Sequence, residues 1–462
     1  MPDTPKDGAA FPEGVCSILD TDLYKLTMQN AVLKYFPDVE VTYKYTNRTS
    51  DLFLNRSAYK WLTSQITKLA HVYVTDDEIR YLTETFKFFT PDYLIFLKTF
   101  RFKPDQQVKL TFEPRESGSE DGQVHIAVSG SWLDTILYEI PLLALVSEAF
   151  FKFCDTDWDH TGQQEKAYEK GMKLMQAGCN FSEFGSRRRR DYHTQGLVMQ
   201  GLVQASKDAA AKGYPGKLSG TSNVHFAKRF GVMPIGTVAH EWFMGIAAIT
   251  NDYKNANEAG LKYWVGTFGR GTLSIALTDT FGTPSFLKAF KKPAVLEFST
   301  QEVDAASNEP TYAEIFTGTR QDSGDPAKFV ETVKKFYDVQ GITEAKTVVF
   351  SDSLDVEKCI EYKRITEAAG LTPSFGIGTF FTNDYVNKSH GGKSVPLNIV
   401  IKLSHAGGRP AVKISDNMGK NTGDSREVER VKRELGYVER DWQDGDETTR
   451  WGKQGDIPEG AA

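Results

Sequence analysis

The sequence predicts an α/β protein of two domains, one of them an irregular, parallel β/α barrel-like domain. Three observations carry this expectation. At 462 residues the chain is longer than one hydrophobic core usually serves. From about residue 150, helical patterns alternate with short apolar strands, as in a parallel sheet. Seven of those strands in succession end in glycine and polar residues, the way barrel strands open onto a ligand. A tight turn explains any one such end, but not seven in a row.

Before residue 150 the pattern is mixed. Asp22 to Phe36 spaces Leu23, Leu26, Ala31, Leu33 and Phe36 as an amphipathic helix. Val39 to Tyr45 alternates as a strand, and Val108–Phe112 and Val124–Val128 flank a polar turn at 116–122. The aromatic-rich stretch from Tyr81 to Phe102 suggests helices packed on that sheet. The barrel strand ends then follow in order: Phe184-Gly185-Ser186-Arg187, Ser219-Gly220-Thr221-Ser222-Asn223, Gly236-Thr237-Val238-Ala239-His240 and Leu277-Thr278-Asp279-Thr280. They continue with Gly318-Thr319-Arg320-Gln321-Asp322, Ser351-Asp352-Ser353 and Gly376-Ile377-Gly378-Thr379, with helices at 326–339 and 356–369 between. After Thr382, Leu397–Leu403 and Ala411–Ile414 read as a hairpin that rejoins the N-terminal domain. Beyond about Gly436 the chain is a charged tail.

Composition narrows the function classes. A net charge of −6 argues against a general nucleic-acid binder, though local arginines can still receive anions. Four scattered cysteines without a C-x-x-C pair read as reduced thiols of a cytoplasmic protein, with nuclear residence left open. The best candidate for a membrane span, Ile136–Phe153, carries Glu139, Glu148 and Lys152, so no membrane partner is expected. His240-Glu241 opens like a zinc-protease helix but lacks the second histidine, and no Walker loop or complete dinucleotide fingerprint occurs.

Single residues point to chemistry. His240, delivered by a strand end ahead of the apolar stretch Trp242–Ile249, can serve as base or nucleophile near neutral pH, or simply pack. The planar fork of Arg320 suits a carboxylate or phosphate. Asp325 is set aside as the cap of the helix that Pro326 begins. Asp279 and Asp352 each remain readable as a helix cap, a metal-bound acid or the orienter of His240. Gly376 to Thr379 can turn backbone N–H groups toward a phosphate. The run Arg187–Arg190 reads as one phosphate ligand plus partners of local carboxylates.

Taken together, these motifs resemble those of the nicotinate phosphoribosyltransferase family. The matching stretches are Thr21-Asp22-Leu23-Tyr24-Lys25-Leu26-Thr27-Met28, Glu183-Phe184-Gly185-Ser186-Arg187-Arg188, Gly220-Thr221-Ser222-Asn223 and Gly236 to Glu241. Arg320-Gln321-Asp322-Ser323-Gly324-Asp325, Ser351-Asp352-Ser353 and Gly376 to Thr379 complete the set, in the family's order across nearly the whole chain. The resemblance implies the type II phosphoribosyltransferase architecture: an α/β sandwich at 1–150 completed by 393–436, a barrel-like catalytic domain at 151–392, and the tail at 437–462. It implies ATP-coupled transfer of phosphoribosyl from 5-phosphoribosyl 1-pyrophosphate to nicotinate, with Mg²⁺ as cofactor and ATP as cosubstrate. By position, His240 resembles the transiently phosphorylated histidine and Asp279 the carboxylate that orients it. Tyr24 and Phe184 look like the pair that sandwiches the pyridine ring, the tyrosine crossing a homodimer interface in dimeric relatives. Thr237 and Arg320 correspond to nicotinate contacts, Gly378 and Thr379 to the phosphoribosyl pyrophosphate loop, Asp352 to a ribose ligand and Arg187 to a phosphate ligand. Ser222 stands where the nicotinamide enzymes of the superfamily place an aspartate. The resemblance does not identify the metal ligands. The competing readings are a nicotinamide or quinolinate enzyme of the same superfamily and a non-catalytic ligand-binding paralogue.

Overall fold

In the computed structural model, which describes residues 12–294, 309–416 and 421–437, two six-stranded sheets organise the chain. The first begins with β1 (Glu40–Asn47), β2 (Leu54–Asn55), β3 (Val108–Pro114) and β4 (Asp121–Ser131). Along β4, Val124, Ile126 and Val128 are buried while their neighbours face outward, the period-two pattern of a half-covered antiparallel sheet. Helices cover it. Asp76–Thr85 starts from a Thr75/Glu78 capping box, and Pro91–Thr99 starts from a Thr90 cap with proline in its first turn. The helix expected at 22–36 is Leu23–Tyr35, but it is not an amphipathic surface helix: Lys25, Gln29 and Asn30 are buried with its apolar residues. The apolar stretch at 136–153 contributes the helix Glu139–Phe153, a core element buried nearly throughout. Among the described residues no helix is long and apolar enough to cross a membrane.

The second sheet comprises β5 (Asn180–Glu183), β6 (Lys217–Thr221), β7 (Ile275–Leu277), β8 (Gly318–Gln321), β9 (Thr347–Phe350) and β10 (Thr372–Ile377). Its order is β6-β5-β10-β9-β8-β7, and every pairing is parallel. A seventh stave fills the remaining gap. Residues 233–237 run beside β6 through a parallel bridge at Thr221 and Pro234, with Ile235 N donating to Thr221 O at 2.8 Å. On their other side Thr237 Oγ1 reaches β7, 3.3 Å from Ile275 O. The strand expected to end at His240 is therefore a single bridge, because Pro234 has no N–H to give to a ladder. His240 is instead the first residue of the helix His240–Thr250. The helices Pro326–Val339 and Val356–Ala368 return the chain between strands, capped by Asp325 and Asp355.

After the short pair β11 (Tyr385–Val386) and β12 (Lys393–Ser394), the strand β13 (Ile399–Ala406) pairs antiparallel with β1, from Asn47 opposite Ile399 to Val41 opposite Ala406. The second arm of the expected hairpin is reduced to β14 (Arg409–Pro410). After Ala411, whose N–H still donates to Ser404 O at 2.8 Å, the chain leaves the sheet and crosses the loop after β7, where Ile414 N donates to Thr280 O at 2.8 Å and Asp416 receives Thr283 Oγ1 at 2.6 Å. Bonds to the barrel, and an antiparallel bridge between Lys413 and Thr422, stand there in place of the expected hairpin ladder. The helix Ser425–Leu435 follows, and the charged tail beyond Tyr437 lies outside the described residues.

Candidate active site

A cavity of about 280 Å³ opens at the C-terminal ends of the barrel strands and is roofed by β13 and Lys413 of the antiparallel domain. Tyr24, Phe184, Arg187, Ser222, Thr237, His240, Arg320, Asp352, Gly378 and Thr379 all line it. Of the residues to which the resemblance gives a site role, Asp279 stands outside the lining, buried beside His240.

Phe184 is held by its backbone N–H, which donates to Ile377 O at 2.7 Å, and by its ring, which lies on Gly376. A Cβ at 376 would stand 2.4 Å from that ring, so only glycine lets it settle there. Tyr24 lines the same cavity. Ser222 Oγ donates to Asp22 Oδ1 at 2.7 Å, which places a carboxylate beside the residue singled out for being neutral. Burial raises the pKa of that carboxylate. Arg320 gives Nη1 to Val238 O at 3.0 Å, and its buried Nε has no protein partner.

Around His240 three elements converge. Nδ1 lies 3.0 Å from Thr280 Oγ1, and Nε2 lies 2.7 Å from Asp322 Oδ2 and 3.0 Å from Lys413 Nζ. Asp279 Oδ1 is 3.8 Å from Nε2, beyond hydrogen-bond distance, so the carboxylate that touches the imidazole is Asp322. Asp279 instead receives Ser323 Oγ at 2.5 Å and pairs with Lys413 at 3.2 Å. Burial and the Lys413 ammonium lower the His240 pKa to about 4 against the pull of Asp279 and Asp322, so the imidazole is neutral at physiological pH. Despite burial, Arg320 and the His240 hydrogen bond hold Asp322 well below the usual carboxylate range. Thr280 can serve Nδ1 in either neutral tautomer. The ionised Asp322 only accepts, so its 2.7 Å contact holds the proton on Nε2 and leaves the lone pair on Nδ1, toward Thr280 Oγ1.

The donor set also fits Mg²⁺, a hard cation that takes oxygen ligands and usually binds through one or two carboxylates plus substrate phosphates. Single ligand atoms of His240, Asp279 and Asp322 lie within 4.8 Å of one another, and Asp279 Oδ1 is a buried acceptor without a hydrogen-bond partner.

Cations complete the lining: Arg48, Arg187, Arg188, Lys402 and Lys413 join Arg320. Burial, then Lys413 and Arg48, pull Lys402 well below its ordinary range, a sign of positive charge gathered for an anion. The arginine run divides by role. Arg187 and Arg188 face the cavity, Arg189 forms a buried bidentate pair with Asp20 at 2.7 and 2.8 Å, and Arg190 lies among Phe151, Trp158 and Tyr385. Sequence reasoning missed Asp322 as a contact of His240, although it quoted the residue, and missed Arg48, Lys402 and Lys413 altogether. A signal for Lys402 existed: a lysine inside the apolar run Ile399-Val400-Ile401-Lys402-Leu403 asks for a buried partner.

An aromatic and cationic cavity at the strand ends of a β/α barrel, with a neutral histidine among carboxylates, defines an enzyme that handles small anionic substrates. Residues 179–439 match the nicotinate phosphoribosyltransferase (NAPRTase) family, and residues 19–147 match that family's N-terminal domain. The chain belongs to the nicotinate phosphoribosyltransferase family. The nicotinate phosphoribosyltransferase of Saccharomyces cerevisiae is 47% identical over 444 residues, covering 94% of this chain and 98% of its own. That of Methanosarcina acetivorans is 39% identical over 425 residues, covering 88% and 95%. A solved Saccharomyces cerevisiae structure, 45% identical, superposes with a TM-score of 0.86 over 93% of this chain and 100% of that one. The nicotinate phosphoribosyltransferase structure from Porphyromonas gingivalis, 31% identical, gives 0.77 over 91% and 100%.

Proposed function

We propose that the protein transfers phosphoribosyl from 5-phosphoribosyl 1-pyrophosphate to nicotinate in NAD salvage, coupled to ATP through a phosphohistidine at His240. The observation that carries this reading is the neutral imidazole of His240 at the start of an 11-residue helix, between Asp322 and Lys413 in the cavity. A neutral nitrogen is a competent nucleophile, and a helix N-terminus favours the negative charge that arrives with a phosphoryl group. In this mechanism Nε2 gives its proton to Asp322 as it attacks the γ-phosphorus of ATP, the bond to the bridging oxygen breaks, and ADP leaves. Nδ1 accepts from Thr280 Oγ1 throughout, and Lys413 offsets charge on the transferred group. Mg²⁺ held by Asp279 and Asp322 would neutralise phosphate oxygens.

Phosphoribosyl transfer needs positioning more than a base. The pyridine nitrogen already carries a lone pair and no proton. It attacks the anomeric carbon, the bond to pyrophosphate breaks, and the pyridinium product forms without a proton transfer. Phe184 and Tyr24 hold the ring. Arg320, whose Nε is unspent, takes the carboxylate through charge-assisted bonds and so selects nicotinate over nicotinamide. Asp352 holds the ribose, Thr379 and Arg187 the phosphoribosyl group, and Lys402 with Arg48 the departing pyrophosphate. Both ring residues come from one chain, so the proposed catalytic unit does not require a partner's tyrosine.

The test is product formation from labelled nicotinate or nicotinamide with 5-phosphoribosyl 1-pyrophosphate, with and without ATP. The reading expects nicotinate mononucleotide, stimulated by ATP, and little product from nicotinamide. Preference for nicotinamide, or no product with either, contradicts it.

A further inference from the structure

We propose that Lys25 is a positioning residue that couples phosphorylation of His240 to the ring-binding Tyr24, through a buried ion pair with Glu241. The proposal rests on the phosphohistidine reading above and concerns how the phosphate is felt elsewhere in the site.

The chain sets the two partners beside the two working residues. Tyr24 and Lys25 share the first turn of the helix Leu23–Tyr35, while His240 and Glu241 open the helix His240–Thr250. Lys25 is wholly buried and pairs with Glu241 and, at 2.6 Å, with Glu139 Oε2. Burial alone would lower the lysine pKa, but the two carboxylates raise it, so the ammonium stays charged. Glu241 Oε1 also receives Tyr43 Oη at 2.6 Å and Trp132 Nε1 at 2.7 Å, which keeps its other oxygen aimed at Lys25. A second strut ties the same two stretches: Thr27 Oγ1 donates to Thr237 O at 2.6 Å. Gly236 lies so close that a Cβ there would stand 3.2 Å from Tyr24 N.

Stability does not call for this arrangement. Lys25 lies on a helix buried in the core, and apolar side chains of similar volume often replace a buried ion pair at no loss. Coupling does call for it. A phosphoryl group on Nε2 brings about two negative charges next to Asp322 at 2.7 Å and Lys413 at 3.0 Å, repelling one and drawing the other. The first turn of the helix readjusts, Glu241 moves with His240, and Lys25 carries the displacement to Tyr24. The ring site then binds nicotinate more tightly in the phosphorylated enzyme, and by linkage bound nicotinate favours the phosphorylated state.

The experiment measures the nicotinate KM and kcat with and without ATP, label at His240 from γ-labelled ATP, and thermal unfolding. It compares the parent with Glu241→Gln, Lys25→Met and Lys25→Arg. The glutamine can still accept from Tyr43 and Trp132, so it decides the question if Lys25→Met does not fold. The parental lowering of KM by ATP, on the order of tenfold, should shrink below about twofold in Glu241→Gln and Lys25→Met. Labelling and the kcat measured without ATP should stay near parental values, and Lys25→Arg should keep most of the KM effect. A folded, labelled Glu241→Gln that retains the full ATP effect overturns the relay. A parent that takes up no label overturns the phosphohistidine reading itself, and the relay with it.

Discussion

Arg320 reaches the cavity with one Nη on Val238 O and its Nε without a protein partner, the state expected of a fork kept for a substrate anion. Lysine keeps the charge and loses the fork, so Arg320→Lys should weaken nicotinate binding by about 1–3 kcal/mol in calorimetry; parental affinity would remove Arg320 from the carboxylate site. Ser222→Asp would bring a second carboxylate against Asp22, which Ser222 now contacts at 2.7 Å. Nicotinate kcat/KM should fall and the nicotinamide-to-nicotinate ratio rise, since the added acid repels one ring substituent and accepts from the other. Steady-state kinetics with both substrates show whether that ratio moves. His240 makes a prediction about stability. Its folded pKa of about 4 lies below the ordinary 6.5, so between those values the unfolded chain binds more protons and stability falls as the pH falls. The full loss is about 3 kcal/mol by the linkage relation, and His240→Asn should abolish that share. Denaturant titrations of both proteins at pH 7 and pH 4.5 measure the difference.

Phe184 owes its place to β10 beneath it. Gly376→Ala would set a methyl 2.4 Å from the ring, and neither the strand backbone nor the ring can give that much without leaving its place. Overpacking of this kind costs about 1–3 kcal/mol, so the variant should fold with a lower melting temperature and a nicotinate KM raised tenfold or more. An unchanged KM would mean that Phe184 does not hold the ring. At this scale the sequence was most legible where local chemistry decides. Asp325 and Pro326 start their helix as expected, and β9 and β10 stop just ahead of Ser351 and Gly378, residues of the expected strand ends, whereas the expected end at Gly318–Gln321 is β8 itself. It was least legible where one residue overrides a pattern. Pro234 breaks the ladder ahead of His240, and Pro410 with the side chains of Lys413 and Asp416 turns the expected strand at 411–414 into a strap across the barrel.

Across the whole molecule, the barrel side supplies Phe184 and His240 to the cavity, the N-terminal helix supplies Tyr24, and the returning antiparallel segment supplies Lys402 and Lys413. The family motifs placed nearly every barrel residue of the site, because those motifs sit at strand ends whose direction the fold fixes. They could not tell Asp279 from Asp322 as the neighbour of His240. Both follow barrel strands, and only the course of the loops after β7 and β8 decides which carboxylate reaches the ring. Nor could they place Lys413, more than a hundred residues away in sequence, whose contact with His240 exists only once the two domains pack. The account as a whole depends on what His240 does. The most direct measurement is incorporation of label from γ-labelled ATP into the parent and into His240→Asn, read as acid-labile phosphoenzyme. The account predicts label on the parent, none on a folded variant, and weak ATP-independent synthesis of nicotinate mononucleotide by that variant. Acid-labile label persisting on His240→Asn would contradict it.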